Sequence, residues 1–320
     1  MKKHRLIYQI AAVTLFTVLS AGACAKAENK DQEAYRQYGI NCLESGKYED
    51  AVQSFQNALD QSLGKVGEKE IDICFYKAKA QIYSGDAKGA LETYSAVIDY
   101  NKDARAYYLR GQLNFDMGQQ EDGLSDYKQA VEEDGDNYEL YIGIYESLSQ
   151  HDLDADAQKY LNTAMEIKGN KAADNLYKGR ISYLLDDTES AIDYLTKAKD
   201  AKEPMAAYYL GMAYEKAGEK EKAKECIQEY IDSGTATSYD LYELGMKEME
   251  DENYKAASTY FEAGLSLEDV PNQQELMKSA IAANEYRGKF KTARKMLKEY
   301  LSLYPSDEEA QRESTFLETR

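Results

Sequence analysis

Self-similarity is the strongest constraint on this chain. Gly39, Gly46, Ala51, Phe55 and Ala58 stand at offsets of 0, 7, 12, 16 and 19. The same spacing returns as Ala78, Gly85, Ala90, Tyr94 and Val97, as Gly111, Gly118, Gly123, Tyr127 and Ala130, and as Gly211, Gly218, Ala223, Ile227 and Tyr230. Four copies of a five-position spacing exclude coincidence, and a period in this range marks stacked short units rather than one rounded core. Weaker copies keep the alanine at offset 12, at Ala157, Ala191, Ala257 and Ala293. Eight units follow over residues 32–306, beginning near Gln32, Ile71, Ala104, Tyr138, Ala172, Pro204, Ser238 and Gln274.

The residue types at these offsets predict a helix-turn-helix unit. A helical stretch runs to a glycine such as Gly46, Gly85, Gly118, Gly218 or Gly288, which can take the left-handed conformation that ends a helix. A second helix starts a few residues later. The small residue at offset 0 and the alanine at offset 12 let two antiparallel backbones approach, and the large residue at offset 16 is expected to fill the space toward the next unit. With 3 prolines and abundant Ala, Leu, Glu, Lys and Tyr, the chain has little material for a sheet, so the expected class is all-α. Residues 307–320 read as a last helix opened by a capping box from Ser306 to Glu309, with Phe316 and Leu317 covering the final unit. Extra residues between Leu59 and Ile71, with Gly64 and Gly67, read as the loosest joint.

The stretch Tyr209-Leu-Gly211-Met-Ala-Tyr214-Glu-Lys-Ala-Gly218-Glu-Lys-Glu-Lys-Ala223 resembles the signature of the tetratricopeptide repeat, and the likeness extends over residues 32–306. Tryptophan is missing, Tyr145 and Ile281 replace the small residue, and proline stands at a repeat end only as Pro305. The resemblance implies a right-handed superhelical solenoid of about eight repeats whose first helices line a concave groove. Carried over position by position, it gives a partner-binding row of Phe75, Tyr108, Ile142, Leu176, Tyr208 and Tyr242, and one turn on Lys79, Gln112, Glu146, Arg180, Met212 and Met246. Tyrosine and methionine there suit an extended peptide or a helix. Binding and packing both remain open for this row, whereas Tyr83, Tyr94, Tyr127 and Tyr214 read as packing. Phe75 and Tyr108 stand where chaperone-tail-binding members have lysines, so such a clamp is not expected.

Lys2, Lys3 and Arg5 precede a mostly apolar stretch from Leu6 to Leu19, followed by Ser20-Ala21-Gly22-Ala23-Cys24. This is the anatomy of a signal peptide over residues 1–23, and the stretch is shorter than the roughly 20 residues that span a bilayer. The small residues ending in cysteine resemble the lipobox of bacterial lipoproteins, with Ala21 where the family prefers leucine, which implies lipidation at Cys24. Residues 24–31 would then be a tether to the outer face of the membrane, of about 30 Å or less. The alternative is plain secretion, since Ala21-Gly22-Ala23 is itself a cleavage site.

The formal charge is -19, and loss of three cations with residues 1–23 takes it to -22, so neither nucleic acid nor an anionic lipid surface is an expected partner. The membrane would be reached through the lipid alone. Catalysis has few residues to stand on. His151 lies in a polar turn, Cys42, Cys74 and Cys226 are scattered and read as buried thiols, and no phosphate loop or G-x-S-x-G elbow occurs. No enzyme, metal or cofactor is expected. The function read from the sequence is an exported protein-binding scaffold, with an extracytoplasmic solute or glycan binder as the alternative.

Overall fold

The computed structural model describes residues 30–62, 64–169 and 171–318. The signal peptide, Cys24 and most of the tether lie outside the described residues. All regular structure in them is helical: α1 Lys30–Glu44, α2 Tyr48–Asp60, α3 Glu68–Tyr83, α4 Ala87–Asn101, α5 Ala104–Asp116, α6 Gln120–Glu133, α7 Tyr138–Gln150, α8 Asp154–Met165, α9 Ala172–Leu184, α10 Thr188–Asp200, α11 Ala206–Lys216, α12 Lys220–Asp232, α13 Ser238–Glu250, α14 Tyr254–Leu265, α15 Gln273–Tyr286, α16 Phe290–Leu303 and α17 Glu308–Leu317. Odd-numbered helices up to α15 are the first helices of eight pairs, and even-numbered ones the second. The chain divides into two compact units, Met1–Leu140 and Tyr141–Arg320.

One contact recurs inside the pairs. A Cβ added to Gly39 would lie 2.7 Å from the Phe55 ring, one added to Gly111 2.7 Å from the Tyr127 ring, and one added to Gly211 2.7 Å from Ile227. Gly179 meets Leu195 and Gly245 meets Phe261 in the same way. The residue at offset 16 therefore sits on the glycine of its own pair, which corrects the expectation that it faces the next unit. The physical reason is that glycine leaves a dimple on the first helix, and only a large side chain from the second can fill it. Phe55 and Phe261 are fully buried, and each such side chain contributes roughly 1.5–3 kcal/mol.

The turn inside each pair is equally regular. Seven residues after the offset-0 position the backbone is left-handed in all eight pairs: at Gly46, Gly85, Gly118, Gly218 and Gly288, and also at Asp152, Asp186 and Glu252. Three pairs have lost the glycine and kept the turn. Tyr145 and Ile281 likewise take the offset-0 position in helices that remain regular.

In the first unit, Asp126 on α6 is buried and carries a network. Arg110 on α5 donates to it through Nε at 3.0 Å and Nη2 at 2.6 Å, and Asn114 Nδ2 at 3.0 Å. Arg110 Nη1 also donates to Ser95 Oγ on α4 at 2.9 Å, joining the second pair to the third. The bond to Asp126 raises the Arg110 pKa above its ordinary value. Gln81 and Thr93 form the corresponding buried bond of the second pair at 2.8 Å. The joint before α3 is tied: Glu70 accepts from the Gly67 amide at 2.8 Å and from Gln32 Nε2 at 2.8 Å, and the Tyr100 hydroxyl donates to the Val66 carbonyl at 3.1 Å.

In the second unit, tyrosines fasten one pair to the next. Tyr230 on α12 is fully buried, yet its hydroxyl donates to Asp240 Oδ2 on α13 at 2.6 Å. Tyr300 on α16 does the same to Asp307 at 2.6 Å. Asp307, not Ser306, caps α17, because the helix begins one residue later than the sequence suggests and Asp307 Oδ1 accepts from the Ala310 amide at 3.0 Å. Lys278 completes the site at 2.8 Å. Ala310 and Leu317, two turns apart, face the core, while Phe316 lies off that face and is 46% exposed, against the expectation that it covers the last pair. The three cysteines are free; Cys42 and Cys226 are buried and Cys74 half-buried, and burial pushes the thiols of Cys74 and Cys226 up.

Two carboxyl groups beside the last helix, Asp307 at its start and Glu285 on α15 near Glu313, have opposite pH behaviour. Hydrogen bonds from Lys278, Tyr300 and the Ala310 amide hold Asp307 well below the usual carboxylate range, so its contribution is present near neutrality and is lost as pH falls. Glu285 on α15 is raised from 4.5 to about 7, first by burial and then by Glu313 on α17. Its proton is retained by the folded state between those values, so its contribution is full below pH 4.5 and is lost as pH rises to about 7.

Two stability measurements test this account. In an exposed helix, Gly→Ala stabilises by up to about 1 kcal/mol. Gly111→Ala should instead destabilise by about 1–3 kcal/mol, because the Tyr127 ring is fully buried and cannot yield; denaturant unfolding reading a gain would refute the dimple. Glu285→Gln should remove most of the decline in stability between pH 5 and 7, read from melting temperatures across that range.

Candidate protein-binding face

The expected groove positions lie on the first helices, and the two units present them separately. In the first unit, Phe75 on α3 is buried at 9% exposure, with the Tyr94 ring at 6.2 Å and the Arg105 guanidinium 3.5 Å above its centroid. Lys79, one turn on, is exposed, and its ammonium lies 5.9 Å from the Tyr83 ring centroid. Tyr108 on α5 is half-buried, stacks on Tyr127 at 5.8 Å, and accepts a hydrogen bond from Gln112 Nε2 at 2.8 Å. Toward the N-terminus, Arg36 on α1 donates to Asp72 on α3 at 2.6 Å, and Lys69 pairs with Glu33 at 3.0 Å.

In the second unit, Ile142 on α7 and Leu176 on α9 are buried at 3% and 6%, while Glu146 is exposed. Phe75, Ile142 and Leu176 are therefore core side chains rather than partner contacts. The position points between its own helix and the second helix of the pair, and only a side chain long enough to reach past that seam emerges. Tyrosine does emerge. Tyr208 on α11 and Tyr242 on α13 are half-buried, their rings 5.3 Å from Tyr230 and 6.0 Å from Phe261. Burial pushes the Tyr208 phenol up, so it stays a neutral donor.

One turn on, the second row stays near the surface. Arg180 on α9 lies 5.5 Å from the Tyr177 ring centroid and 4.7 Å from that of Tyr209, bridging two successive pairs. Met212 and Met246 are half-buried, and Met246 Sδ accepts weakly from Ser279 Oγ at 3.9 Å. The second unit thus brings Arg180, Tyr208, Met212, Tyr242 and Met246 onto successive first helices. Sequence reasoning missed Tyr177, Tyr209 and Tyr239. Tyr239 is 53% exposed on the first turn of α13, three residues before Tyr242, a helical spacing that could have found it.

Tyr83, Tyr94, Tyr127 and Tyr214 pack, as expected. Tyr94 and Tyr127 are buried, Tyr83 stacks on Tyr48 at 5.2 Å, and Tyr214 lies 5.0 Å under Lys222. Among the described residues no group of three His, Cys, Asp or Glu could hold a metal ion, and no helix is long and apolar enough to cross a membrane.

Family models match parts of the chain. Residues 77–138 match one tetratricopeptide-repeat family model, and residues 205–233 and 276–307 match another. No curated protein matches the chain. Among solved structures, the chain is similar to a tetratricopeptide repeat protein from Parabacteroides merdae ATCC 43184, at 13% identity and a TM-score of 0.48, covering 79% of this chain and 98% of that one. It is also similar to PilW, a type IV pilus biogenesis factor, at 14% identity and a TM-score of 0.43, covering 77% and 99%. A third is the Cut9-Hcn1 hetero-tetramer of the APC/C, at 15% identity and a TM-score of 0.43, covering 88% of this chain and 54% of that one. Paired helices with a left-handed turn in each, no strand among the described residues, and three matched segments show that the chain carries tetratricopeptide repeats in an all-α helical array.

Proposed function

We propose that this chain is an exported, membrane-tethered scaffold that holds a peptide or helix of a partner protein on the first-helix face of its repeats. The observation that carries this reading is the run of Arg180, Tyr208, Met212, Tyr242 and Met246, half-buried side chains on successive first helices. A core needs no arginine between two tyrosine rings and no thioethers left half-covered. A partner surface gains from both, because flat rings give contact area at low entropic cost and methionine adapts its shape. Tetratricopeptide-repeat proteins bind protein partners, which favours this reading over the solute or glycan alternative.

The tether rests on the sequence around Cys24. A single lipid chain binds a membrane weakly, and two chains hold it stably, so a diacylglyceryl group on Cys24 would suffice without any protein–lipid contact. The mass of the mature N-terminal peptide tests this: an acyl mass on Cys24 is expected, and a free thiol on protein recovered from the medium would exclude the tether.

For the binding face, Arg180→Ala combined with Tyr239→Ala should lose at least about tenfold of partner recovery in affinity capture from solubilised membranes, the effect of truncating one hot-spot contact. Both residues reach the surface, so the melting temperature should change little. Undiminished capture by this variant would remove the assignment.

A further inference from the structure

A cleft of about 340 Å³ opens in the second unit between α12, α13 and α14. None of its lining residues belongs to the first-helix row. Its floor is apolar, formed by Ala223, Ile227 and Leu244, all buried. Ile227, which packs on Gly211 of its own pair, also lines this cleft.

The walls carry opposite charge. Lys220 and Lys224 stand one turn apart on α12, both exposed, and Lys224 is near enough to Glu248 to pull its pKa down. Facing them are Glu248 and Asp251, at the end of α13 and the turn after it. Glu248 accepts from Asn253. The third lysine, Lys247, is already paired with Glu215 of the preceding repeat at the rim. The Tyr260 phenol closes one end. Burial, with Glu215 and Asp251 nearby, raises the Glu248 carboxyl against the opposing pull of Asn253 and Lys224, and burial with Glu248 and Glu215 pushes Tyr260 up to about 12.

From this arrangement we infer a binding site for a small zwitterionic amino compound, an apolar α-amino acid or dipeptide. Its carboxylate lies on Lys220 and Lys224, its ammonium on Glu248 and Asp251, and its side chain on Ile227 and Leu244. The volume is at the small end of ligand sites, which suits one or two residues and excludes a folded partner. Two walls of opposite sign select a ligand with two charges, since a singly charged one leaves one wall unmatched. The inference does not rest on the partner-binding reading, because none of these residues belongs to the first-helix row.

Titration of the full chain with leucine and leucyl-leucine, read by calorimetry and by melting temperature, tests the site. Both zwitterions are expected to bind and to raise the melting temperature. N-acetyl-leucine, which lacks the ammonium, and leucinamide, which lacks the carboxylate, should each bind at least about tenfold more weakly, the loss of one charge-assisted contact. Lys224→Met and Glu248→Gln should weaken leucine to a similar extent; both positions reach the surface, and circular dichroism verifies their folding. The inference is overturned if neither zwitterion gives heat or a shift at about 10 mM. Equal binding of the blocked forms, or unchanged binding by both folded variants, overturns it too. Capture of a protein partner by Lys224→Met should match the unmodified chain, which separates failure of this site from failure of the first-helix face.

Discussion

Five of the eight pairs depend on a side chain pressed into the place where a glycine has no side chain. When Phe55 lies on Gly39 or Tyr127 on Gly111, two antiparallel helices come close enough that each second-helix backbone nearly touches the first; the carbonyl of Gly123 would stand 3.2 Å from a Cβ on Gly111. That closeness fixes the depth at which everything else in the pair sits. Tyrosines at the far end of the second helix can then reach the cap of the following helix, as Tyr230 reaches Asp240 and Tyr300 reaches Asp307. The first helix, pinned from one side, is left with the opposite side to offer.

Polar bonds inside the pairs divide the work with apolar contact. Asp126 is a buried carboxylate held by Arg110 and Asn114, a costly arrangement that is stable only because both oxygens are used. Gln81 with Thr93 achieves the same join without charge. Such bonds add direction where Leu and Ala add only adhesion. They differ from pair to pair, so each junction has a chemistry of its own although the backbone repeats.

The repeat and its helical class were legible because close packing restricts residue type: small at offsets 0 and 12, large at 16, glycine at 7. The left-handed turn was legible at Gly46 and Gly218 but not at Asp152, Asp186 or Glu252, where the backbone keeps a conformation that its residue does not advertise. The groove row was half legible. Position along the repeat says which helix face a residue occupies, but Ile142 and Tyr242 share that position and differ in reach, and only packing depth decides which one surfaces. The charged cleft near Ile227 was not legible at all. It is formed by side chains from three helices, and the repeat spacing does not say which of them meet.

The seven-residue interval from the offset-0 position to the left-handed residue has a further meaning. It holds in all eight pairs, while the distance from one pair to the next varies from 32 to 39 residues. Seven residues are two helical turns, so a single residue gained or lost inside that interval would rotate the turn by about 100° and aim the second helix away from its dimple. Between pairs no such phase must be kept. The chain therefore has two kinds of length: a rigid ruler inside each pair, and a slack between pairs where insertions can accumulate without disturbing the helices they join.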